Sequence, residues 1–569
     1  MPLGSFDRSE NLARLGSTTF DVLVVGGGIT GAGVALDAAA RGLRTALVER
    51  DDFASGTSSK SSKLVHGGLR YLQNGDVRLV YQALRERRRL LRNAPHLVRV
   101  LPFLIPILSG RDAIIPRKVA RALGSAMWMY DLTGGLRIGK IHKRLKHDAA
   151  LAHMPTLGDK LSWAYLYYDA QTDDARLTLA VLRTAAVDHG AVVVNHARVT
   201  GFLKDGDRVS GATVLGGDGS GSEVTVRAHT VVNAAGVWAD DVRAYDEGTH
   251  PHSIRPAKGI HITVPWDKVR NDIAAVLPVR KDKRSIFVVP WPTPTGEVGG
   301  PGARTYIGTT DTDYAGDVDD PQCTEDDITY LLDAMNGALS TPLERSDVLG
   351  SWAGLRPLVR QAETGKTADL SRRHRVTASA SGVVTVTGGK LTTYREMAQD
   401  TVDVVADQLE QRVGRRVGRG RTAKLALRGA DGWADERRRD VWLADRYGGE
   451  ARVVQAMIDA DPTLGEPLVP GLPYRRAEAL YAVRYEMATT LDDVLSRRTR
   501  ARLLDRDATA AAAADVADLI GDELDWSVDQ RAAQVAAYRQ ASQHEREVPG
   551  LPETAVLVPS EPQAKEPRS

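Results

Sequence analysis

Cysteine is almost absent from this sequence: its 569 residues contain one, Cys323. A single thiol excludes intrachain disulfides, cysteine-based zinc sites and iron–sulfur clusters. It also fits a reducing compartment. No other metal site is predicted from the sequence. An excess of one charge sign is also lacking, since 75 Lys and Arg face 73 Asp and Glu. This balance predicts no nucleic-acid partner for the whole chain, although local basic patches remain open.

Long hydrophobic runs are missing too. The densest, Leu101–Leu108, contains two prolines and falls well short of the ~20 residues that span a bilayer. Residues 1–19 lack the apolar stretch of a signal peptide. The content of 42% hydrophobic and 26% charged residues is typical of a globular protein, and the length predicts roughly three or four domains.

What is present begins with a nucleotide-binding pattern. A β-rich run at 20–25 ends in G-x-G-x-x-G, formed by Gly26, Gly28 and Gly31, and a helix and a second strand ending at Glu49 follow. In such a unit the first glycine makes the turn, the second lets the backbone approach a pyrophosphate, and the third lets helix and sheet pack. The helix N-terminus favours the anion, and the carboxylate suits a ribose diol. We therefore expect a dinucleotide-binding βαβ unit.

Two later segments favour FAD over NAD. Residues 230–236 form a strand that ends in small side chains, and residues 383–389 form another that ends in glycines and leads through Lys390 into a helix. A helix N-terminus can face the flavin edge that carries negative charge after reduction. Three strand–glycine corners that converge on one ligand predict FAD.

Several motifs together resemble those of FAD-dependent glycerol-3-phosphate dehydrogenases, over about residues 20–540. They are Gly56–Tyr71, Lys258–His261, Gly308–Asp311, Gly354–Pro357 and Gly388–Tyr394, with Glu478–Arg500 similar to that family's C-terminal helical cap. The loop Pro292–Gly302 looks longer than the corresponding turn in the family.

The resemblance implies the fold class and its domains. We expect an α/β FAD-binding domain of the Rossmann-like, amino-acid-oxidase type, an interleaved and mainly antiparallel substrate domain, and a C-terminal all-α domain. The predicted FAD-binding segments are 17–75, 166–250 and 346–408; the predicted substrate-domain segments are 76–165, which faces the membrane, and 251–345; a helical domain at 409–545 and a disordered tail at 546–569 complete the chain.

The activity that the resemblance implies is oxidation of sn-glycerol 3-phosphate to dihydroxyacetone phosphate by hydride transfer to FAD, followed by reduction of a membrane quinone. One alternative is a glycerol-3-phosphate oxidase, which reduces dioxygen to hydrogen peroxide. Another is an amine or amino-acid oxidase of the same fold, although three cations suit a phosphate dianion better than a single carboxylate.

Substrate contacts are predicted at Arg70, Tyr71, Thr309, Arg356 and Lys390. Arginine's planar fork suits phosphate, and lysine acts as a mobile point charge. The base for the C2 hydroxyl stays open between His66 and His261, because a histidine titrates near neutral pH. Arg356 or Lys390 could instead stabilise an alkoxide.

Cofactor contacts are predicted at the glycine corners and in the family motifs around them. They are Gly26, Gly28, Thr30, Gly31, Glu49, Arg50, Thr57, Ser58, Ser59, Ser62, Lys63, Leu64, His66, Gly67, Gly68, Val199, Ala234, Ala235, Gly236, Trp238, Gly389, Lys390, Leu391 and Thr392.

A basic stretch flanked by aromatic residues predicts contact with an anionic membrane surface. Residues 137–147 hold five Lys or Arg and no acid, and Arg117, Lys118 and Arg121 precede the apolar residues 127–130. A solvated loop is the alternative. The resemblance implies a cytoplasmic, peripheral protein on the inner face of the plasma membrane, and a homodimer.

Overall fold

The computed structural model describes residues 6–68, 77–108, 124–125, 127–131, 139–216, 223–279, 284–300, 302–359 and 374–554. The strands are β1 Thr19–Val25, β2 Thr45–Val48, β3 Leu64–Val65, β4 Arg99–Leu108, β5 Lys143–Lys146, β6 Leu161–Gln171, β7 Val192–Val194, β8 Ala197–Asp205, β9 Arg208–Gly216, β10 Glu223–Asn233, β11 Ile254–Pro265, β12 Ala274–Pro278, β13 Ser285–Pro290, β14 Arg304–Gly308, β15 Thr312–Asp313, β16 Gly350–Val359, β17 Arg375–Ala378 and β18 Val384–Thr387.

The α-helices are α1 Arg8–Ser17, α2 Ile29–Ala40, α3 Val77–Asn93, α4 His147–Leu151, α5 Asp174–Arg183, α6 Ala239–Glu247, α7 Trp266–Val269, α8 Glu325–Asn336, α9 Tyr394–Val413, α10 Trp433–Glu436, α11 Val441–Tyr447, α12 Ala451–Ala460, α13 Arg476–Glu486, α14 Ala501–Leu504, α15 Arg506–Ala511, α16 Ala513–Glu523 and α17 Val528–Glu547. Among the residues described, no helix is both long and apolar enough to span a bilayer.

The first sheet carries the nucleotide-binding pattern. Its order is β17-β18-β10-β1-β2-β7, with β9 paired to β10 and β8 paired to β9. The strands from β18 to β7 run parallel, and β1 is buried along nearly its whole length. Helices cover parallel sheets on both faces; here α2, α5 and α9 contribute to one apolar core and α1 to the other. The predicted α/β FAD-type fold is confirmed.

The second sheet is mainly antiparallel, as predicted. Its order is β15-β11-β14-β13-β12-β4-β6-β3, with β16 beside β11 and β5 beside β6. One face packs on α8, and the other shares a core with the helices that follow residue 440. This shared core fixes the C-terminal helical domain against the sheet.

Some predicted boundaries need correction. The predicted FAD-binding segment 346–408 includes β16, yet β16 pairs with β11 in the second sheet over ten residues. The segment 166–250 likewise begins inside β6, which pairs with β4 in that sheet. The tail predicted from residue 546 begins too early, because α17 extends to Glu547, Leu551 is buried and Thr554 donates two hydrogen bonds to Asp507.

Candidate active site

A cavity of about 530 Å³ lies where the two sheets meet. The turns after β1, β10 and β18 line one side of it, because the carboxyl ends of parallel strands lie at the same edge of a sheet. Residues of β11 and β16 line the other side. The volume is in the usual range for small-molecule and cofactor sites.

Most of the predicted site residues line this cavity. They are Gly26, Gly28, Thr30, Glu49, Arg50, Thr57, Ser58, Ser62, Leu64, His66, Val199, Ala234, Ala235, Gly236, Trp238, His261, Thr309, Arg356, Gly389, Lys390, Leu391 and Thr392. Arg70 and Tyr71 lie outside the described residues.

Five predicted cofactor residues are not on the cavity wall: Gly31, which packs directly behind Gly26, and Ser59, Lys63, Gly67 and Gly68. The Lys63 ammonium donates instead to Asp174, 3.1 Å away, and to the Ser59 carbonyl, 3.0 Å away. The Gly67 amide donates to Tyr130 and Asp169. Lys63 and Gly67 thus bind carboxylates of α5 and β6.

Other lining residues were not predicted. Lys60, Gly259 and Gly354 lie inside the motifs given above, which could have identified them as cavity residues. Arg198 and Tyr245 lie outside those motifs, so the sequence offered no signal for them.

The first glycine turn has the geometry that a pyrophosphate needs. Gly26 has a φ of +111°, which L side chains rarely adopt. A Cβ on Gly31 would lie 1.9 Å from the Gly26 carbonyl oxygen, so α2 approaches β1 more closely than any side chain permits. Gly28 offers no side chain to cap α2, and the Ile29 amide donates to the Ser58 hydroxyl at 2.9 Å. The start of α2 can therefore face an anionic group.

Glu49 is held at the end of β2. One carboxylate oxygen accepts from the Gly27 amide at 2.6 Å and the other from the Asp51 amide at 2.9 Å. Burial raises the pKa of Glu49 above its ordinary value, although both hydrogen bonds oppose the shift. A carboxylate has about four acceptor positions, so these bonds still leave room for a ribose hydroxyl.

Arg356 is anchored on the opposite wall. Its guanidinium donates to the Thr310 carbonyl at 3.2 Å and to the Thr309 hydroxyl at 3.1 Å, and it lies 3.4 Å from Asp311. Its side chain is 26% exposed. The absence of a side chain at Gly259 makes room for it, since a Cβ there would lie 2.6 Å from the guanidinium. Lys390, between β18 and α9, lines the same cavity.

Two histidines reach the cavity. His261 on β11 is buried, and its Nε2 lies 3.0 Å from the Ser62 hydroxyl. Burial and the nearby charges of Lys63 and Arg356 hold the pKa of His261 well below 6.5. His66 is less buried, and its carbonyl accepts from the Thr392 hydroxyl at 3.3 Å.

Comparison with known sequences gives matches along most of the chain. The pattern of the FAD dependent oxidoreductase family matches residues 21–395, and that of the C-terminal domain of alpha-glycerophosphate oxidase matches 420–531. Glycerol-3-phosphate dehydrogenase 2 of Mycobacterium tuberculosis is 40% identical over 552 residues, covering 94% of this chain and 90% of that protein. The mitochondrial glycerol-3-phosphate dehydrogenase of Homo sapiens is 38% identical, covering 94% and 74%.

Solved structures agree with the sequence matches. The glycerol-3-phosphate dehydrogenase of Bacillus halodurans, complexed with FAD, has a TM-score of 0.73 at 30% identity and covers 94% of this chain and 97% of its own. An FAD-bound L-alpha-glycerophosphate oxidase of Mycoplasma pneumoniae, at 16% identity and a TM-score of 0.52, covers 71% of this chain and 96% of its own and shares the fold. The glycine cradle at the start of α2 fits the pyrophosphate of the same cofactor, FAD.

Proposed function

Because this chain belongs to the family of FAD-dependent glycerol-3-phosphate dehydrogenases, we propose that its cavity binds sn-glycerol 3-phosphate through Arg356 and Lys390 and that the electrons pass to a membrane quinone. The observation that carries the substrate assignment is the convergence of these two cations and two histidines on the cavity that the glycine corners line.

Bound FAD supplies a two-electron acceptor, to which the C2 hydrogen of glycerol 3-phosphate leaves as a hydride. The C2 hydroxyl loses its proton to the protein, and the carbonyl of dihydroxyacetone phosphate results. The residues of the cavity therefore have two tasks: they hold the phosphate and they accept one proton.

Arg356 performs the first task. Threonine and carbonyl oxygens already fix its guanidinium, so little side-chain freedom remains to be lost when a phosphate binds. Arginine presents paired N–H donors that match phosphate oxygens. Lys390 adds a second positive charge from the first sheet.

His261 performs the second task. Its lowered pKa keeps the ring neutral, and so able to accept a proton, throughout the neutral range. A phosphate dianion held by Arg356 offsets one of the positive charges that oppose protonation of the ring. The substrate thereby makes its own proton acceptor more basic.

The pH dependence of flavin reduction tests this assignment. With His261 as the base, the acid limb of the rate profile lies well below 6.5, and His261→Asn lowers the rate constant by about 10²- to 10⁴-fold. His66→Asn is the matched variant. If the acid limb of the rate profile instead lies near pH 6.5 and disappears in His66→Asn, His66 is the base.

Arg356→Met tests substrate binding. Loss of hydrogen bonds to a charged phosphate costs about 1.5–3 kcal/mol, so the Kd for glycerol 3-phosphate should rise about 10- to 100-fold while FAD stays bound. Arg416→Met removes an arginine whose side chain is 89% exposed and should leave the Kd unchanged. Loss of FAD from Arg356→Met, with the Kd of the remaining holoenzyme unchanged, would contradict the assignment.

The quinone acceptor is tested on the reduced enzyme. We expect a soluble quinone analogue to reoxidise the flavin much faster than air-saturated buffer does, with little peroxide. Stoichiometric hydrogen peroxide and no response to quinone would identify an oxidase instead.

An exposed apolar and basic surface supports peripheral attachment to a membrane. Trp128 and Met129 are 57% and 46% exposed, and the Trp128 ring lies 5.0 Å from that of His142, just before β5, whose sequence is Lys-Arg-Leu-Lys. Apolar side chains beside cations suit an anionic bilayer surface. We place the protein on the cytoplasmic face of the plasma membrane, as the family resemblance implies.

Flotation with vesicles of anionic lipid tests the attachment, with zwitterionic vesicles as the control. Release of the protein at high salt indicates electrostatic attachment. Retention at high salt that Trp128→Ala abolishes indicates insertion of apolar side chains. If the protein binds neither kind of vesicle, the proposal is contradicted.

We also propose the homodimer implied by the resemblance, for which sedimentation should give twice the 61.6 kDa of one chain.

A further inference from the structure

His261 lies on the central strand of three. β11 pairs with β14 on one side and β16 on the other, which places Gly308 and Trp352 directly beside His261. The Trp352 and His261 rings are stacked, with centroids 4.9 Å apart and planes 9° from parallel. On the other side, a Cβ at Gly308 would lie 2.1 Å from the imidazole. The histidine ring therefore fills a slot between an indole and a bare backbone.

Trp352 also contacts a buried cation. The Lys63 ammonium lies 4.8 Å from the centroid of the Trp352 ring, and the Lys63 side chain is 2% exposed. Attraction between an ammonium and an indole face strengthens when the pair is desolvated. Lys63 and His261 thus contact the same indole.

The Lys63 charge is held in place by a network that reaches the C-terminal domain. Asp174, the first residue of α5, accepts from Lys63 at 3.1 Å and from Arg500 at 3.3 Å. The Ser59 carbonyl accepts from both cations as well. Burial, with Arg500 nearby, lowers the pKa of Lys63 to about 8, so the ammonium stays protonated throughout the acid range.

Within the part of the chain that the structure describes, the other groups that contact His261 or shift its pKa are neutral or positive. Ser62 lies against Nε2, Tyr306 of β14 has its ring 6.4 Å away, and Arg356 of β16 adds positive charge. Among the described residues, no carboxylate hydrogen-bonds the ring, and Nδ1 has no hydrogen-bond partner.

We propose that Trp352 and Lys63 are positioning residues for His261. The Trp352 indole fixes the plane of the imidazole, and the Lys63 ammonium held against that indole supplies positive charge beside the imidazole. The proposal rests on the role of His261 in the proposed function. The sequence motif predicted that Lys63 contacts the cofactor. The proposal instead gives Lys63 a role on the substrate side of the cavity.

Lys63→Met is the decisive variant. It removes the charge and keeps an unbranched side chain, and Asp174 still accepts from Arg500 and Ser61. Without the positive charge that opposes protonation of His261, the acid limb of anaerobic flavin reduction should move up by about one pH unit. Lys63→Arg should keep the limb near its wild-type position, and Lys204→Met, at a side chain 42% exposed, is the matched control.

Trp352 is tested by a pair of variants. Trp352→Phe keeps an aromatic face and should retain most of the rate constant, whereas Trp352→Leu should lower it about 10-fold or more without changing the Kd for glycerol 3-phosphate. The visible flavin spectrum and FAD content of each variant show that the cofactor site is intact.

The outcomes separate this proposal from the proposed function. An unmoved acid limb in Lys63→Met, or a wild-type rate constant in Trp352→Leu, overturns the positioning role. If His261→Asn instead reduces flavin at the wild-type rate, the role of His261 fails first, and any effect at Lys63 or Trp352 has another cause. If Lys63→Met does not fold, Lys63→Gln at the same pH values gives the same test.

Discussion

The structure makes a sharp prediction for Gly259→Ala, a change that alters neither charge nor hydrogen-bonding groups. A Cβ at this position would lie 2.6 Å from Nη2 of Arg356 and 2.6 Å from the Thr309 hydroxyl. Ordinary contact begins at about 3.4 Å. The guanidinium must therefore move by nearly 1 Å, and its hydrogen bonds to the Thr310 carbonyl and to Asp311 restrict where it can go.

A misplacement of about 1 Å in an active site can cost about 10²-fold, which corresponds to about 2.7 kcal/mol of transition-state stabilisation. We expect the second-order rate constant for anaerobic flavin reduction by glycerol 3-phosphate to fall by that factor in Gly259→Ala. The assay is stopped-flow loss of the flavin absorbance, with FAD content measured in parallel.

Gly201→Ala is the matched control, because no described atom lies within 4 Å of the Cβ it would add. It should reduce its flavin as the wild type does. A Gly259→Ala enzyme that keeps its rate constant within about twofold would refute the idea that the anchored Arg356 guanidinium holds the substrate.

Three further predictions concern cofactor binding and stability. Gly31→Ala adds a Cβ 1.9 Å from the Gly26 carbonyl oxygen, so the purified variant should carry little FAD, as its absorbance will show. Burial lowers the pKa of His96 to about 3. Its contribution to stability is therefore complete above pH 6.5 and is lost as the pH falls towards 3, so at about pH 5 the free energy of unfolding should be lower by about 2 kcal/mol. Denaturant titration should find this loss in the wild type and not in His96→Gln. Glu478→Leu leaves the buried guanidinium of Arg446 without its 2.8 Å partner and should destabilise the C-terminal domain by about 3–5 kcal/mol. Unfolding in guanidinium chloride, followed by tryptophan fluorescence, measures the loss, and an unchanged midpoint of the unfolding transition would contradict this prediction.

The nucleotide-binding end of the fold could be predicted from sequence because its signals are local. The turn at Gly26, the close approach at Gly31 and the carboxylate at Glu49 lie within one βαβ unit, where spacing alone fixes the geometry. The described residues retain all three features. The convergence of separate glycine corners followed from the parallel order of their strands.

Strand pairing and buried charge could not be predicted in the same way, since they depend on partners far along the chain. The strand β16 contains the motif Gly354–Pro357, in a segment predicted for the FAD-binding domain, yet its pairing with β11 places it in the second sheet. Lys63 sits in a cofactor motif, yet Asp174, more than a hundred residues away, holds its charge. Sequence identified the chemistry of these residues, and tertiary contacts decided what each one touches.

The helix α3 shows the same limit on a smaller scale. The helical spacing of Val77, Val80, Tyr81, Leu84 and Leu91 predicts one apolar face, with Arg85, Arg87 and Arg88 largely elsewhere. Val77 and Tyr81 are nevertheless each 45% exposed. Arg87, expected away from that face, is fully buried because it pairs with Asp169 and donates to the Tyr168 carbonyl. A paired charge inside the protein leaves no mark on the local hydrophobic pattern.

The central claim is that fixed positive side chains present a phosphorylated alcohol to the flavin. It is tested most directly by adding glycerol 3-phosphate, and separately glycerol, to the yellow holoenzyme without oxygen. We predict full bleaching of the flavin by glycerol 3-phosphate with one dihydroxyacetone phosphate formed per flavin, and no bleaching by the same concentration of glycerol. A flavin that stays oxidised with glycerol 3-phosphate, or that glycerol reduces equally well, would contradict the account.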